Sequence, residues 1–196
     1  MATLSTAAPD PAHQRKVRRN LVILALVCIA PMLASYALYY LWRPGEAKNY
    51  GELLQTTPVP EIAQAADNGP FAALKGKWTL LMVDAPACAK PCADKLWQMR
   101  QLRLTQGKEM ERMTRLWVVD GDGPPDAARL AEYEGTIALP AAQIPGLMRL
   151  LREGDPTAHL YVIDPLGNLM MRFPKDPDLN RVKKDLLHLL KVSRIG

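Results

Sequence analysis

The sequence has 196 residues, of which 48% are hydrophobic, with three cysteines and a formal net charge of +5. That length accommodates one domain of ordinary size with an appendage and is too short for a multidomain enzyme. The positive charge is concentrated in residues 1–20, which carry +3, whereas residues 21–42 carry none and residues 43–196 carry +2. Because the main part of the chain is close to neutral, no nucleic-acid partner is expected.

Residues 21–42 form a segment without a single Asp, Glu, Lys or Arg. As a helix this segment would be about 33 Å long, which matches the hydrocarbon core of a bilayer. Aromatic side chains, which favour the membrane interface, gather at its C-terminal end: Tyr36, Tyr39, Tyr40 and Trp42. The segment predicts one transmembrane helix. A cleaved signal peptide is the alternative, although its apolar stretch is typically about 7–15 residues.

The segments on either side of this helix differ in charge and composition. Basic residues precede it (Arg15, Lys16, Arg18 and Arg19), so the positive-inside rule places the tail 1–20 in the cytoplasm. Residues 43–68 follow it and are interrupted by Pro44, Pro58 and Pro60, without a sustained hydrophobic period. This second segment predicts a tether between the membrane and a folded domain over residues 69–196.

The remaining sequence alternates between strand and helix patterns. The apolar run 78–83 is typical of a strand buried on both faces. The other expected strands are 115–119, 158–163 and 169–173, and the expected helices are 93–106, 125–134, 141–152 and a last one opening at Asp176-Pro177. Two parallel strands joined by a crossover and followed by a hairpin and a closing helix describe an α/β, thioredoxin-like domain.

Cys88 and Cys92 lie between the first of these strands and the helix that follows it. Reactive groups favour this edge of an α/β sheet, and a helix N-terminus together with Lys90 would stabilise a thiolate. The spacing allows the sulfurs to form a disulfide or to bind one soft metal ion such as Cu(I). A purely structural disulfide remains the alternative, although structural bridges usually close longer loops.

Several stretches resemble the SCO/SenC family of membrane-anchored proteins, which assemble the copper site of cytochrome c oxidase. The resemblance rests on residues 74–81, on the spacing of the two cysteines, on residues 69–71 and on residues 161–168. It implies a periplasmic domain anchored in the inner membrane, with copper as the bound metal. It also implies that Cys88 and Cys92 bind this copper or exchange disulfides with client thiols, for example those of a cytochrome c oxidase subunit.

The sequence departs from the SCO/SenC pattern at three places. Ala89 and Ala93 stand where the family usually carries prolines, and the stretch between residues 71 and 74 is shorter. The copper-ligating histidine of the family falls on Pro156. His159, three residues further on, is the remaining candidate ligand. In a strand it would point to the opposite face, so it would need a local irregularity to reach the thiols.

Asp155-Pro156-Thr157, immediately before a strand, also resembles the cis-proline element of thioredoxins, which lies against the active cysteines. That likeness favours thiol–disulfide chemistry over copper storage. It makes Cys88 the more exposed nucleophile, Cys92 the resolving thiol and Pro156 the residue that lines the client groove. Two alternatives stay open. One is a non-catalytic docking factor with a permanent disulfide, and the other is a thiol peroxidase, which Ala85 disfavours because a Thr is wanted there.

Overall fold

The computed structural model describes residues 11–41, 49–69, 71–152, 154–193 and 195. The chain divides into two units, Met1–Lys48 and Asn49–Gly196. The first unit contains helix α1 (Pro11–Leu41), which includes the predicted membrane segment as far as Leu41. Within the described residues, Gln14–Tyr40 is the one stretch of helix long and apolar enough to cross a membrane. Residues 1–10, Trp42 and residues 43–48 lie outside the described residues.

The second unit is a mixed α/β domain of six strands and five helices, as the described residues show it. The strands are β1 (Glu52–Pro58), β2 (Trp78–Asp84), β3 (Met113–Val119), β4 (Thr136–Pro140), β5 (Leu160–Ile163) and β6 (Asn168–Arg172). The helices are α2 (Pro60–Ala63), α3 (Lys90–Leu104), α4 (Ala127–Glu132), α5 (Pro145–Leu150) and α6 (Leu179–Val192). Short 3₁₀ turns occupy Gly107–Arg112, Ala141–Gln143 and Pro156–Ala158.

The six strands form one sheet in the order β1-β6-β5-β2-β3-β4. Strands β2, β3 and β4 are parallel, β5 runs antiparallel to β2, and β6 and β1 continue antiparallel. Strand β2 is central and almost wholly buried, which explains its continuous apolar sequence. The predicted thioredoxin-like α/β fold is thereby confirmed, with the predicted crossover between β2 and β3 and the predicted β5–β6 hairpin.

Apolar side chains pack on both faces of this sheet. On one face a cluster contains both cysteines and side chains of α3 and α6, including Leu96 and Leu186. On the other face the cluster includes Ile62 of α2 and Leu147 of α5. Alternation along β5 divides its residues between the two clusters, Leu160 and Val162 with the cysteines and Tyr161 and Ile163 opposite.

The expected tether over 43–68 does not match the structure in its second half. Residues 52–58 form the edge strand β1, paired with β6, and Arg172 binds the Glu52 carboxylate at 2.6 Å. The sequence of β1 shows no alternation because most of its side chains are exposed, so main-chain pairing rather than burial holds it. The folded unit therefore begins at Asn49, not at residue 69.

Other boundaries also differ from those predicted. Strand β4 was not expected, because its short sequence is only partly buried at the sheet edge. Helix α6 begins at Leu179 and is capped by Asp178, whose carboxylate accepts the amide of Asn180, rather than opening at Asp176. Of the predicted helix 141–152, only Pro145–Leu150 is α-helical, since Pro145 starts a new helix after the 3₁₀ turn.

Candidate thiol–disulfide site

Cys88 and Cys92 form a disulfide between the carboxyl end of β2 and the first turn of α3, with their Cα atoms 5.0 Å apart. The backbone reverses tightly before the helix, because the Cys88 amide donates to the Ala85 carbonyl at 3.2 Å and Cys88 has a φ of 41°. Ala89 is the extended N-cap, and Pro91 lies in the first turn, where it costs no hydrogen bond. The sulfur pair therefore lies at the N-terminus of α3, the positive end of the helix dipole.

Both cysteines are buried, with 2% of Cys88 and none of Cys92 exposed. They pack in the core cluster that also contains Leu96 and Leu160. Cys88 was predicted to be the more exposed of the two, but both are buried, because the turn before α3 folds the Cys88 side chain into the core. A partner thiol could reach the bridge only after the covering side chains move.

A largely buried ion pair joins the end of β2 to helix α3, the two elements that flank Cys88. The Lys95 ammonium contacts the Asp84 carboxylate at 2.7 Å, and the two side chains are 12% and 18% exposed. The same ammonium donates to the carbonyls of Val83 and Thr157, at 3.0 and 2.6 Å. Lys95 therefore connects helix α3, the end of β2 and the loop before β5, the three segments that surround the cysteines.

The sequence-based reasoning missed Lys95 and Asp84. One signal was available, since Lys95 follows Cys92 by three residues and so shares its helix face. Asp84 is the last residue of the apolar strand β2, at the edge where α/β proteins place their functional groups. Nothing in the sequence shows that these two side chains meet, because the pairing depends on how α3 packs across the end of β2.

The loop 155–158 is a 3₁₀ turn held by its own aspartate. The Asp155 carboxylate accepts hydrogen bonds from the hydroxyl and the amide of Thr157, at 2.7 and 2.9 Å. The hydrogen bond from the Thr157 hydroxyl, and to a smaller extent the one from the Thr157 amide, hold the pKa of Asp155 below its usual range. This aspartate thus stabilises the loop in its ionised form.

Pro156 does not adopt the expected thioredoxin-like arrangement. In the described part of the chain every peptide bond is trans, including the one before Pro156. The Pro156 side chain lines a cavity of about 420 Å³ together with Asp120, Pro145 and Met148. The groove beside α3 is lined instead by its neighbours Asp155 and Thr157. The reason is local, because the Asp155 cap winds this segment into a 3₁₀ turn.

His159 immediately precedes β5 and lines the groove beside α3. Its ring packs edge-on against Tyr161, with centroids 6.1 Å apart, whereas Leu160 packs with the cysteines. Its Nδ1 lies 2.8 Å from the Phe173 carbonyl oxygen, which can only accept, so Nδ1 donates this hydrogen bond. The 3₁₀ turn over Pro156–Ala158 interrupts the strand immediately before His159, but the ring packs on Tyr161, which belongs to the opposite cluster.

The described residues contain no cluster of three or more His, Cys, Asp or Glu side chains arranged to hold a metal ion. Pro156 offers no donor atom at the position that the SCO/SenC resemblance assigns to the copper ligand, and His159 faces elsewhere. The donors that fit copper are the two sulfurs after reduction of the bridge. Thiolates are soft ligands suited to Cu(I), and two of them can hold this ion linearly.

A groove of about 560 Å³ runs beside the first turns of α3. The loops 155–160 and 175–177 form its other walls, and its charged lining residues have both signs: Lys90, Lys95, Lys175, Asp94, Asp155 and Asp176. Trp97, which is 48% exposed, adds an apolar surface to the same groove. The groove can therefore accept a polypeptide segment of mixed character next to the helix that carries Cys92.

The comparison with protein families identifies the class of this domain. The family described as "Transmembrane-like, thioredoxin-like, C-terminal domain" matches residues 78–193. Since that match covers more than half of the chain, the chain belongs to this family. Among curated protein sequences, none matches the chain.

Solved structures with a similar fold include both SCO proteins and thioredoxins. Yeast Sco1 has 18% identity and a TM-score of 0.50, covering 61% of this chain and 83% of its own. Copper-bound ScoI of Bradyrhizobium japonicum has 19% identity and a TM-score of 0.46, and the match covers 72% of this chain and 97% of ScoI. A putative thioredoxin of Neisseria meningitidis has 16% identity and a TM-score of 0.47, and the match covers 76% of this chain and 94% of that thioredoxin. The SCO-like resemblance predicted from the sequence is confirmed at the level of the fold.

Proposed function

We propose that this chain is a membrane-anchored, thioredoxin-like protein that exchanges disulfides with client thiols through Cys88 and Cys92. The observation that carries the proposal is the disulfide between these residues at the start of α3, the helix that the Lys95–Asp84 ion pair joins to β2. By the SCO/SenC resemblance, the process it serves is assembly of the copper site of cytochrome c oxidase, and the client is an oxidase subunit. The basic residues before α1 favour a cytoplasmic N-terminus and a periplasmic domain in the inner membrane.

The exchange takes two steps that conserve electrons. In the reducing direction, the Cys88 thiolate attacks a client disulfide, forms a mixed disulfide and releases one client thiolate. The Cys92 thiolate then attacks the Cys88 sulfur and releases the second client thiolate. Two electrons pass to the client, and the pair ends as the disulfide seen in the structure. The helix N-terminus stabilises the Cys92 thiolate formed on reduction.

Copper enters this proposal as cargo rather than as a resident cofactor. The reduced pair would hold Cu(I) between two thiolates and transfer it to the thiols of a client. Pro156 and His159 have no part in this two-thiolate site, since the first lacks a donor and the second packs on Tyr161. Reduction of a client leaves the pair as a disulfide, so the same two sulfurs would deliver copper only after a thiol reductant has reduced them again.

Metal titration of the full-length protein in detergent tests the copper part of the proposal. A Cys28→Ala background removes the third cysteine, which lies in the membrane helix. We expect the reduced protein to bind one Cu(I), the Cys88→Ser variant to lose binding, and the His159→Ala variant to retain it. Loss of Cu(I) binding in His159→Ala would show that His159 is a third ligand beside the two thiolates. No Cu(I) binding by the reduced protein would remove copper delivery from the proposed function.

Burial of both cysteines favours a second candidate, a docking factor in which the bridge is structural. The reduction potential distinguishes the two functions. A structural disulfide lies below about −300 mV, whereas an exchanging pair has a higher potential. We expect a value above this limit from equilibration with glutathione or dithiothreitol buffers. A lower value would leave the docking factor as the function of this domain.

A further inference from the structure

An exposed apolar surface lies at the end of the domain remote from the cysteines. Leu53, Leu166, Val192 and Ile195 are 48%, 61%, 68% and 53% exposed, and they line one shallow cavity of about 450 Å³. We call these four side chains the hairpin-end patch, because Leu166 belongs to the β5–β6 turn. Of the seven large hydrophobic side chains described as exposed in residues 49–195, four belong to this patch. Such clustering is typical of a surface that contacts a partner or a membrane.

The patch is rigidly mounted on the domain. Asp164, which opens the β5–β6 turn, accepts hydrogen bonds from the amides of Leu166 and Asn168, at 2.9 and 2.8 Å. Val192 is the last residue of α6. Arg112 donates to the carbonyls of Leu190 and Ile195, at 2.9 and 2.8 Å, and so fixes the segment that follows the helix. The four apolar side chains are therefore held as one surface.

The patch includes the place where the chain enters this domain. Asn49, the first residue of the folded unit, lines the same cavity. Only residues 42–48 separate it in the sequence from α1, the helix long and apolar enough to span a membrane. A connection of this length cannot span more than about 28 Å even when fully extended. A bilayer that holds α1 is therefore the apolar phase that the patch can reach without any other protein.

We propose that the hairpin-end patch inserts into the interfacial layer of the bilayer that α1 spans. Lys77 and Lys191, each next in sequence to a residue lining the cavity, are exposed and suited to anionic headgroups. The cavity also contains Trp78, at the start of β2, whereas Cys88 follows the other end of this seven-residue strand. Insertion would hold the disulfide away from the lipid by about 20 Å, the length of the strand. The inference does not depend on the chemistry of the cysteines.

Spin-label accessibility in vesicles tests this surface. The full chain carries Cys28→Ala and one new cysteine, either Leu166→Cys in the patch or Trp97→Cys as the control at the other end. The Cys88–Cys92 bridge stays closed without reductant. Nitroxide-labelled proteins are reconstituted into phosphatidylcholine and phosphatidylglycerol vesicles at a 3:1 ratio. Collision with lipid-soluble oxygen is then compared with collision with a water-soluble nickel complex.

We expect the oxygen-to-nickel ratio at position 166 to exceed that at position 97 at least threefold. Adding Val192→Asp and Ile195→Asp should reduce the ratio at 166 to that at 97. Both residues are more than half exposed, so the fold should persist, which circular dichroism checks. Equal ratios at the two positions would overturn the proposal. Shielding of position 166 from both reagents that disappears on dilution in lipid would also overturn it, because a second copy would then cover the patch.

Discussion

The two ends of strand β2 are built in different ways. At the Asp84 end, the Lys95 and Asp84 side chains are largely shielded from water and paired, and the Asp84 backbone carbonyl also accepts from the amide of Asp120. At the Trp78 end, the domain exposes the apolar hairpin-end patch. Directional bonds fix positions to a fraction of an ångström, as a site for exchange between sulfurs requires. Apolar contact is non-directional and depends mainly on area, which suits a surface for lipid.

Removing the charge of Lys95 tests how far the cysteine end depends on its buried ion pair. Lys95→Met leaves the Asp84 carboxylate without its cation in a site that is mostly shielded from water. We expect the free energy of unfolding to fall by about 3 kcal/mol, because breaking a buried pair strands the remaining charge. Urea denaturation of the full chain in detergent measures this change.

Lys90→Met is the matched control for that experiment. Lys90 pairs with Asp94 at 3.0 Å on the same helix, but the two side chains are 86% and 57% exposed. Solvent screens this pair, so we expect a loss below about 1 kcal/mol. Equal losses for Lys90→Met and Lys95→Met would show that shielding from water does not strengthen the Lys95–Asp84 pair.

Replacement of both cysteines by serine removes the covalent bridge at the same end. The bridge joins residues only four positions apart, so it restricts a short loop of the unfolded chain. Loop-closure entropy then predicts a loss of about 2 kcal/mol. Unfolding of the oxidised protein and of the double variant in urea compares the two. A loss of 4 kcal/mol or more would instead indicate that the buried sulfurs contribute chiefly by packing.

At the hairpin end the Asp164 carboxylate caps the β5–β6 turn, and its removal should matter less. Besides two amides, this carboxylate accepts the Asn168 side-chain amide at 2.8 Å. We expect Asp164→Ala to reduce the free energy of unfolding by about 1.5 kcal/mol, as loss of a charged hydrogen-bond acceptor does. Asp164→Asn, which keeps one acceptor oxygen, should lose less than half of that. Similar losses in both variants would show that charge alone stabilises the turn.

Features encoded by local patterns could be predicted from the sequence. The continuous apolar residues of β2 and the two cysteines that follow it located the site at the correct sheet edge. Strand β1 could not be predicted, because its exposed side chains carry no period and its pairing with β6 is a long-range main-chain contact. The Lys95–Asp84 pair could not be predicted for a similar reason, since it depends on how α3 packs across the end of β2.

The resemblance to thioredoxins gave a wrong prediction at Pro156, where a neighbouring residue changes the local geometry. Pro156 suggested a thioredoxin-like cis-proline, but Asp155 caps a 3₁₀ turn and leaves the bond trans. The strand alternation predicted between Pro156 and His159 does not apply, because the 3₁₀ turn lies between them, and the His159 ring packs on Tyr161. The cysteines could thus be predicted as the centre of the site, whereas the residues around them required the packing of three separate segments.

The smallest effect should come from the pH dependence of the loop 155–158, at the cysteine end. The Thr157 hydrogen bonds hold the pKa of Asp155 below its usual range, so the folded state favours the ionised carboxylate. This contribution is present above the unfolded-state pKa of about 3.9 and is lost as the pH falls through the lower folded pKa. Denaturation midpoints at pH 6 and pH 3 should therefore differ slightly more in the wild type than in Asp155→Asn. An acid-induced loss that is the same in both would show that this exposed cap does not stabilise the loop beside the disulfide.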